Sequence, residues 1–156
     1  MLRDKSLIPL SHQHQHALAL CVRIDRALKA GEVALEPWQS EIEHLFLSEL
    51  RYHIAAEEAV LFPVAERLDG LTTLAGELRM EHQALRRYAG RSATRELTRP
   101  ELEIFAKTLS HHVRKEERRL FEEMQRLLPA AELAQLGEDL DRYFRESGMP
   151  GTSCAI

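Results

Sequence analysis

His53-Ile-Ala-Ala-Glu57-Glu58-Ala-Val-Leu61-Phe62 occurs once, and its pattern returns later as His112-Val-Arg-Lys-Glu116-Glu117-Arg-Arg-Leu120-Phe121. Both segments follow the pattern H-x3-E-E-x2-L-F. A His-Gln pair stands ahead of each copy, at His14-Gln15 and at His82-Gln83. The repetition predicts two helical hairpins of the same design.

Apolar residues recur at helical spacing between a few Gly and Pro residues, and no alternating strand pattern competes. Ser11 is the expected N-cap of the first helix, and Pro63 is expected to kink or loosen the second near Ala59. Short connections between long amphipathic helices predict an all-α, antiparallel, up-down-up-down four-helix bundle with a short extra C-terminal helix. The helices are expected at about Ser11 to Ala30, Pro37 to Leu68, Thr72 to Ala89, Pro100 to Leu128 and Ala130 to Ser147.

The His and Glu of each repeat are four residues apart and therefore lie on one face of a helix. That face is the one that the leucines mark as the core. Counting residues along the hairpins, at roughly 1.5 Å per residue, brings all four core histidines near mid-height of the bundle. The inward-facing polar residues at this level are His14, His53, Glu57, His82, His112 and Glu116.

A buried layer of imidazoles and carboxylates is costly unless something satisfies it, and metal ions do so. Nitrogen and oxygen donors suit iron, manganese or zinc, and two carboxylates between two pairs of His suit a bridged pair of metals. His12 and His16 are rivals to His14 but lie off the main stripe. Glu49 is either a hydrogen-bond acceptor for a ligand imidazole or a boundary residue.

These motifs, in this order, resemble the hemerythrin-like, or HHE cation-binding, family over about residues 7 to 128. The resemblance implies two non-haem iron ions linked by the two carboxylates and an oxo or hydroxo bridge. Oxygen-carrying hemerythrins place two His one turn apart on the third helix, whereas His82 has Leu78 and Arg86 at those positions. They also place the fourth-helix carboxylate at i+5, so Glu117 is an alternative ligand to Glu116.

The remaining set of four His and two Glu resembles di-iron proteins proposed to repair iron–sulfur centres damaged by nitric oxide or peroxide, although their Cys-bearing N-terminal segment is absent here. We therefore expect a di-iron protein that binds or reacts with O2, peroxide or NO, and whether it turns over is left open. The alternatives are a metal-state sensor or iron-handling module without turnover, and a structural bundle that holds zinc.

Length and composition bound the remaining expectations. The chain has 156 residues, a net charge of −4 and interleaved basic and acidic residues, which argues against a nucleic-acid partner. No apolar run approaches the roughly 18 residues of a membrane span, and Cys21 and Cys154 do not suggest a disulfide, so a cytoplasmic location is expected. We expect one domain over residues 1–148, with the fifth helix packed across the bundle or forming a homodimer contact, and a loose tail over 149–156.

Overall fold

The computed structural model describes residues 1–31 and 33–151, and within them it contains helices and no strands. The helices of this part of the chain are α1 (Ile8–Ala30), α2 (residues 35–65), α3 (Thr72–Ala93), α4 (residues 99–127) and α5 (Ala130–Ser147). Helices α1 to α4 form the predicted bundle. Within it, α1 contacts α2 and α4, and α3 contacts the same two helices, while α5 packs against α2. The predicted fold class is therefore confirmed.

Two of these helices contain π-helical turns. In α2 the turns are π1 (Phe46–Leu50) and π2 (Glu57–Leu61), and in α4 the turn is π3 (Glu116–Leu120). The disturbance expected from Pro63 coincides with π2. However, π3 occupies the matching position of the second repeat, where Glu122 replaces the proline. Proline alone therefore does not explain the π turns, which are characteristic of functional sites in helices.

Three helix beginnings differ from the sequence expectation, and one of them is that of α2, which begins at Leu35, two residues before the expected Pro37. Ser11 is not the N-cap of α1: the helix begins at Ile8 after Leu7, and Pro9 occupies its first turn. Ser11 lies within the helix, and its hydroxyl donates to Glu117 Oε1 at 2.7 Å. Helix α4 begins at Arg99, one residue before the expected Pro100, because Thr98 and Glu101 form a capping box.

The apolar core is divided into two clusters by a polar layer. We call them the lower cluster, which includes Leu10, Phe62, Leu78 and Phe121, and the upper cluster, which includes Cys21, Ile54, Leu85 and Phe105. The change from one cluster to the other occurs at His14 on α1, at His82 on α3 and at Glu116 on α4, and on α2 it falls between His53 and Glu57. The layer is therefore held between two ordinary hydrophobic cores.

Helix α5 has the predicted bounds and closes the lower end of the molecule. Its buried face, Leu133, Leu136, Leu140 and Phe144, belongs to the lower cluster. At Gly137 the helix approaches the N-terminal segment so closely that an added Cβ would lie 2.8 Å from the Ser6 side chain. Helix α5 thus packs across the bundle, as one of the two sequence alternatives held.

Met149, the first residue of the predicted tail, is buried in the lower cluster. Residues 152–156, which include Cys154, lie outside the described residues, so the division of the chain near residue 148 stays a prediction. No helix in the described part of the chain has the combination of length and apolar character needed to span a bilayer.

Candidate metal centre

The structure brings all six predicted residues together in the polar layer. Each of the four bundle helices supplies one histidine, and α2 and α4 each add a glutamate. All six residues are at most 3 % exposed: His14 from α1, His53 and Glu57 from α2, His82 from α3, and His112 and Glu116 from α4. Their role as ligands stays a prediction, but their placement meets its geometric requirement.

The four histidines form two pairs, and within each pair the two rings face each other through their Nε2 atoms. His14 Nε2 lies 3.0 Å from His53 Nε2, and His82 Nε2 lies 3.0 Å from His112 Nε2. Two facing ring nitrogens can share only one proton, so hydrogen bonding cannot satisfy both pairs fully. A metal ion in front of each pair could accept both lone pairs.

Each carboxylate reaches both histidine pairs. Glu57 Oε1 lies 3.0 Å from His53 Nε2, while its Oε2 lies 3.3 Å from His82 Nε2. Glu116 Oε2 lies 3.0 Å from His14 Nε2, while its Oε1 lies 3.2 Å from His112 Nε2. One oxygen of each carboxylate therefore belongs to each pair, which is the arrangement that a bridging ligand requires.

The donor atoms thus form two groups that share both carboxylates. In each group, one ligand atom from each of four residues lies within 4.8 Å of the others. We call them the first donor group, with His14 and His53, and the second donor group, with His82 and His112. The four carboxylate oxygens are buried and accept no hydrogen bond. Orphaned oxygens beside facing ring nitrogens are the chemistry expected of a metal centre.

The spacing of the donors also suits a particular coordination. Donors 90° apart around a metal at about 2.1 Å lie about 3.0 Å apart, whereas tetrahedral donors lie about 3.4 Å apart. The six pairs of donor atoms named above are separated by 3.0–3.3 Å. Two further pairs are wider: His14 Nε2 lies 3.9 Å from Glu57 Oε1, and His82 Nε2 lies 4.0 Å from Glu116 Oε1. This mixture of short and long separations differs from the single separation of a regular tetrahedral site.

The outer nitrogen of every histidine ring faces an acceptor. Nδ1 of His14 lies 2.7 Å from Glu117 Oε1, and Nδ1 of His82 lies 3.0 Å from Glu58 Oε1. Such partners orient a metal-binding ring and leave its other nitrogen free to bind metal. Glu117 contacts the outer nitrogen of His14, whereas Glu116 lies between the two histidine pairs, so this placement favours Glu116 as the ligand. The choice of Glu116 over Glu117 stays a prediction.

The other two rings have partners that precede a ligand histidine in the chain. Nδ1 of His53 lies 2.6 Å from Gln13 Oε1, and Nδ1 of His112 lies 2.9 Å from Glu81 Oε2. Sequence reasoning missed both partners. The available signal was the residue before each His-Gln pair, which is polar in both copies.

The Leu-Phe that ends each repeat also has a structural role at the site. The Phe62 ring stacks on His82 with centroids 5.3 Å apart, and the Phe121 ring stacks on His14 at 5.5 Å. Each phenylalanine thus covers the histidine of a neighbouring helix from the lower cluster. This packing limits ring rotation and keeps water from that side of the layer.

Electrostatics tie the cluster together when metal is absent. Burial by itself would lower the pKa of His14, but Glu116 and Glu117 outweigh it and raise the pKa to about 9. Burial likewise opposes the carboxylates that raise the pKa of His112 to about 10. Burial would raise the pKa of Glu116, yet His112 and His14 hold it well below its usual range. Metal must therefore displace protons from imidazole nitrogen.

The remaining candidate histidines lie away from the layer. His12 and His16 are exposed on α1, and His16 Nδ1 pairs with Glu49 at 2.9 Å. Glu49 is therefore the partner of a surface histidine and not of a ligand imidazole. His44 and His111 are exposed.

A small cavity adjoins the cluster on its upper side. Its walls include His14, His53 and His112 together with Ala17, Leu45, Leu50, Leu109 and Val113. The space open to the centre of a water-sized sphere is about 10 Å³. This volume is close to what one water-sized molecule occupies.

Comparison with known proteins agrees with the geometry. The sequence profile of the family described as "Hemerythrin HHE cation binding domain" matches residues 9–124, which span the bundle and all six clustered residues. Comparisons with curated proteins and with solved structures gave no significant match. The chain belongs to the hemerythrin HHE cation-binding domain family.

Proposed function

We propose that the protein is a non-haem di-iron protein that binds or reacts with a small oxidant, namely O2, peroxide or NO. The observation that carries the proposal is the pair of donor groups that share both buried carboxylates. Six side-chain donors are too many for a single tetrahedral ion and are suitably divided for two ions. Bound iron would supply the redox change that these reactions need.

The donors are imidazole nitrogen and carboxylate oxygen without thiolate, a set that iron, manganese and zinc all accept. The distances between donor atoms favour iron over tetrahedral zinc. They divide into short separations of 3.0–3.3 Å and longer ones of 3.9–4.0 Å, whereas a regular tetrahedral site has a single separation. The zinc-holding structural bundle is therefore the less favoured alternative.

The chain itself would control which molecules reach the cluster. Each donor group contains four side chains, so a six-coordinate metal would keep open positions. The adjoining cavity of about 10 Å³ is lined by five apolar residues and by five polar ones, which include Gln13 and Glu49, and its size suits a molecule of two or three atoms. So small a space would admit such molecules and keep bulkier reductants and chelators away.

The cellular role follows from this chemistry and is part of the proposal. A protein of this kind would serve in the response to oxidative or nitrosative stress, or in the repair of damaged iron centres. A cytoplasmic location is consistent with the free, buried thiol of Cys21. The alternative, a sensor or iron-handling module, would use the same metal centre without turnover.

Metal content and reactivity together test the proposal. Purified protein should hold about two iron ions per chain by mass spectrometry and absorb in the near-ultraviolet. Peroxide, O2 and NO should each be added to the reduced protein while consumption and absorption are followed. Multiple turnovers support an enzyme, and a single stoichiometric change supports a sensor. Zinc as the dominant metal, or one ion per chain, would contradict the di-iron proposal.

A matched pair of variants keeps the test specific. His16→Ala removes an imidazole that is 65 % exposed and lies outside the cluster, so metal content should be unchanged. His82→Ala removes a ring with no exposed surface that belongs to the second donor group, so metal content should fall. Helicity measured by circular dichroism confirms that both variants are folded.

A further inference from the structure

The two donor groups have similar surroundings, and they differ in the hydrogen-bond acceptor that faces one of their two histidines. His14 is held by Glu117, which Arg3 neutralises at 2.8 Å, and His82 is held by Glu58, which Arg86 neutralises at 2.8 Å. Each group thus has one ring on a carboxylate that is paired with an arginine. Up to this point the surroundings of the two groups are balanced.

The second ring of each group breaks this balance. His112 faces the carboxylate of Glu81, whose other oxygen pairs with Lys115. His53 faces the amide oxygen of Gln13, whose nitrogen contacts Met149 Sδ at 3.6 Å. The two repeats therefore differ at matching positions, since Gln13 and Glu81 each stand directly before a ligand histidine.

The lysine is also specific to the second donor group. Lys115 stands three residues after His112, and the matching position three residues after His53 is Ala56, which is fully buried. Lys115 Nζ lies 2.5 Å from Glu81 Oε1 and offsets part of the charge of Glu81, as the arginines do for Glu117 and Glu58. It does not replace the direct, charge-assisted hydrogen bond between the carboxylate and the ring. The net difference between the groups is therefore a charged acceptor against a neutral one.

The chemical consequence falls on the metal-binding nitrogen. A ring N–H that donates to a carboxylate gives the opposite nitrogen more electron density than one that donates to an amide. His112 should therefore bind a metal cation more strongly than His53, although both rings are almost fully buried and held at similar distances.

We propose that the two metal positions are unequal, and that Gln13 is the positioning residue that makes the first donor group the weaker one. This inference rests on the proposed two-metal function. The first metal ion then enters the His82–His112 position, and the second enters the His14–His53 position. On oxidation, the metal at the His82–His112 position is the one better stabilised in its higher charge.

The experiment uses Co²⁺, a divalent probe that is stable in air and shifts nearby proton resonances. Metal-free protein is titrated with Co²⁺ while the ring protons of all four ligand histidines are followed by nuclear magnetic resonance. The first equivalent should shift the resonances of His82 and His112, and the second should shift those of His14 and His53. Calorimetry should show two steps separated by about tenfold, the lower end of the range typical of outer hydrogen-bond partners.

Two variants shift the balance in opposite directions. Gln13→Glu gives His53 a carboxylate and should tighten the weaker step by about tenfold. Glu81→Gln gives His112 an amide and should weaken the tighter step by a similar factor, so that the two steps merge in both variants. A merely structural role would weaken binding in both variants, which contradicts the proposal. Circular dichroism checks that both variants are folded.

The outcomes separate this inference from the function on which it rests. Failure of the wild-type protein to bind two Co²⁺ ions would contradict the two-metal function itself. Binding of two ions in a single step, or simultaneous shifts of all four histidines, would leave the metal centre intact and overturn the inequality. Filling of the His14–His53 position first would overturn it as well.

Discussion

Replacement of Glu57 by glutamine should empty both metal positions together. Its two oxygens lie 3.0 Å from His53 Nε2 and 3.3 Å from His82 Nε2, so one carboxylate serves both donor groups. Glutamine keeps the size of the side chain but removes its charge and one of its acceptor oxygens. The Glu57→Gln variant therefore tests the bridge while leaving the volume of the buried layer unchanged.

The size of the effect follows from the number of donors lost. Glu57 provides one of the four side chains in each donor group and one of the two negative charges of the cluster. Loss of an outer hydrogen-bond partner typically weakens metal binding by about 10–100-fold, and a direct ligand should matter at least as much. Acting at both positions, the substitution should weaken binding of the pair by about 10²–10⁴-fold.

The assay is iron per chain after loading and gel filtration, with circular dichroism to check folding. The wild-type protein should retain about two ions and Glu57→Gln nearly none. Glu41→Gln is the matched control, because Glu41 lies on the same helix but pairs with Arg23 at the surface. Retention of one tightly held ion by Glu57→Gln would show that the carboxylate is a terminal ligand and would refute the bridge.

Three further perturbations test the predicted ligands, the protonation of the layer and the packing of α5. His14→Ala should lower iron content while His16→Ala should not, because only His14 faces the layer; iron loss in His16→Ala alone would mean that α1 is rotated. With pKa values raised to about 9 and 10, His14 and His112 are protonated at pH 7, and each metal position has to displace one of these two protons. Metal affinity, measured by chelator competition, should therefore rise by about tenfold per pH unit at each position between pH 7 and 8.5. Because the pKa values of His14 and His112 are raised, their ion pairs should stabilise the metal-free fold fully below about pH 6.5, and this stability should be lost as the pH rises through 9–10. Metal affinity and melting temperature that do not change with pH would contradict these ion pairs. In thermal melts Gly137→Ala should lower Tm, because the added Cβ would lie 2.8 Å from the Ser6 side chain. Gly76→Ala, in open space on α3, should instead raise the free energy of unfolding by up to about 1 kcal/mol, because alanine favours the helix.

Most of the fold and most of the candidate site could be predicted from the helical periodicity of the sequence. The i, i+4 spacing of His53 and Glu57 determines that both side chains point the same way, whatever the helix packs against. The height count along the hairpins then brings the four histidines to one level. Both arguments use only helix geometry and loop length, which the sequence contains, and the structure confirms the placement they predict.

The features that could not be predicted from the sequence depend on contacts between helices. Gln13 and Glu81 reach their histidines across a helix interface, so their role depends on how two helices are rotated against each other. No pattern within one helix contains that angle. The N-cap expectation for Ser11 failed for a related reason, since its hydroxyl is used by Glu117 of another helix. The π turn that begins at Glu116 has Glu122 where the first repeat has Pro63, so no local helix breaker predicts it.

The division of the core explains how the chain can hold such a costly layer. Burying carboxylates and imidazoles without full hydrogen bonding costs several kcal/mol, so the layer alone opposes folding. The lower cluster, closed by α5, and the upper cluster each bury their own apolar face, and neither includes one of the six predicted ligands. We therefore expect the chain to fold without metal, unlike a zinc finger. A bundle that is folded before loading presents donors already 3.0–3.3 Å apart, and binding energy is not spent on ordering the chain.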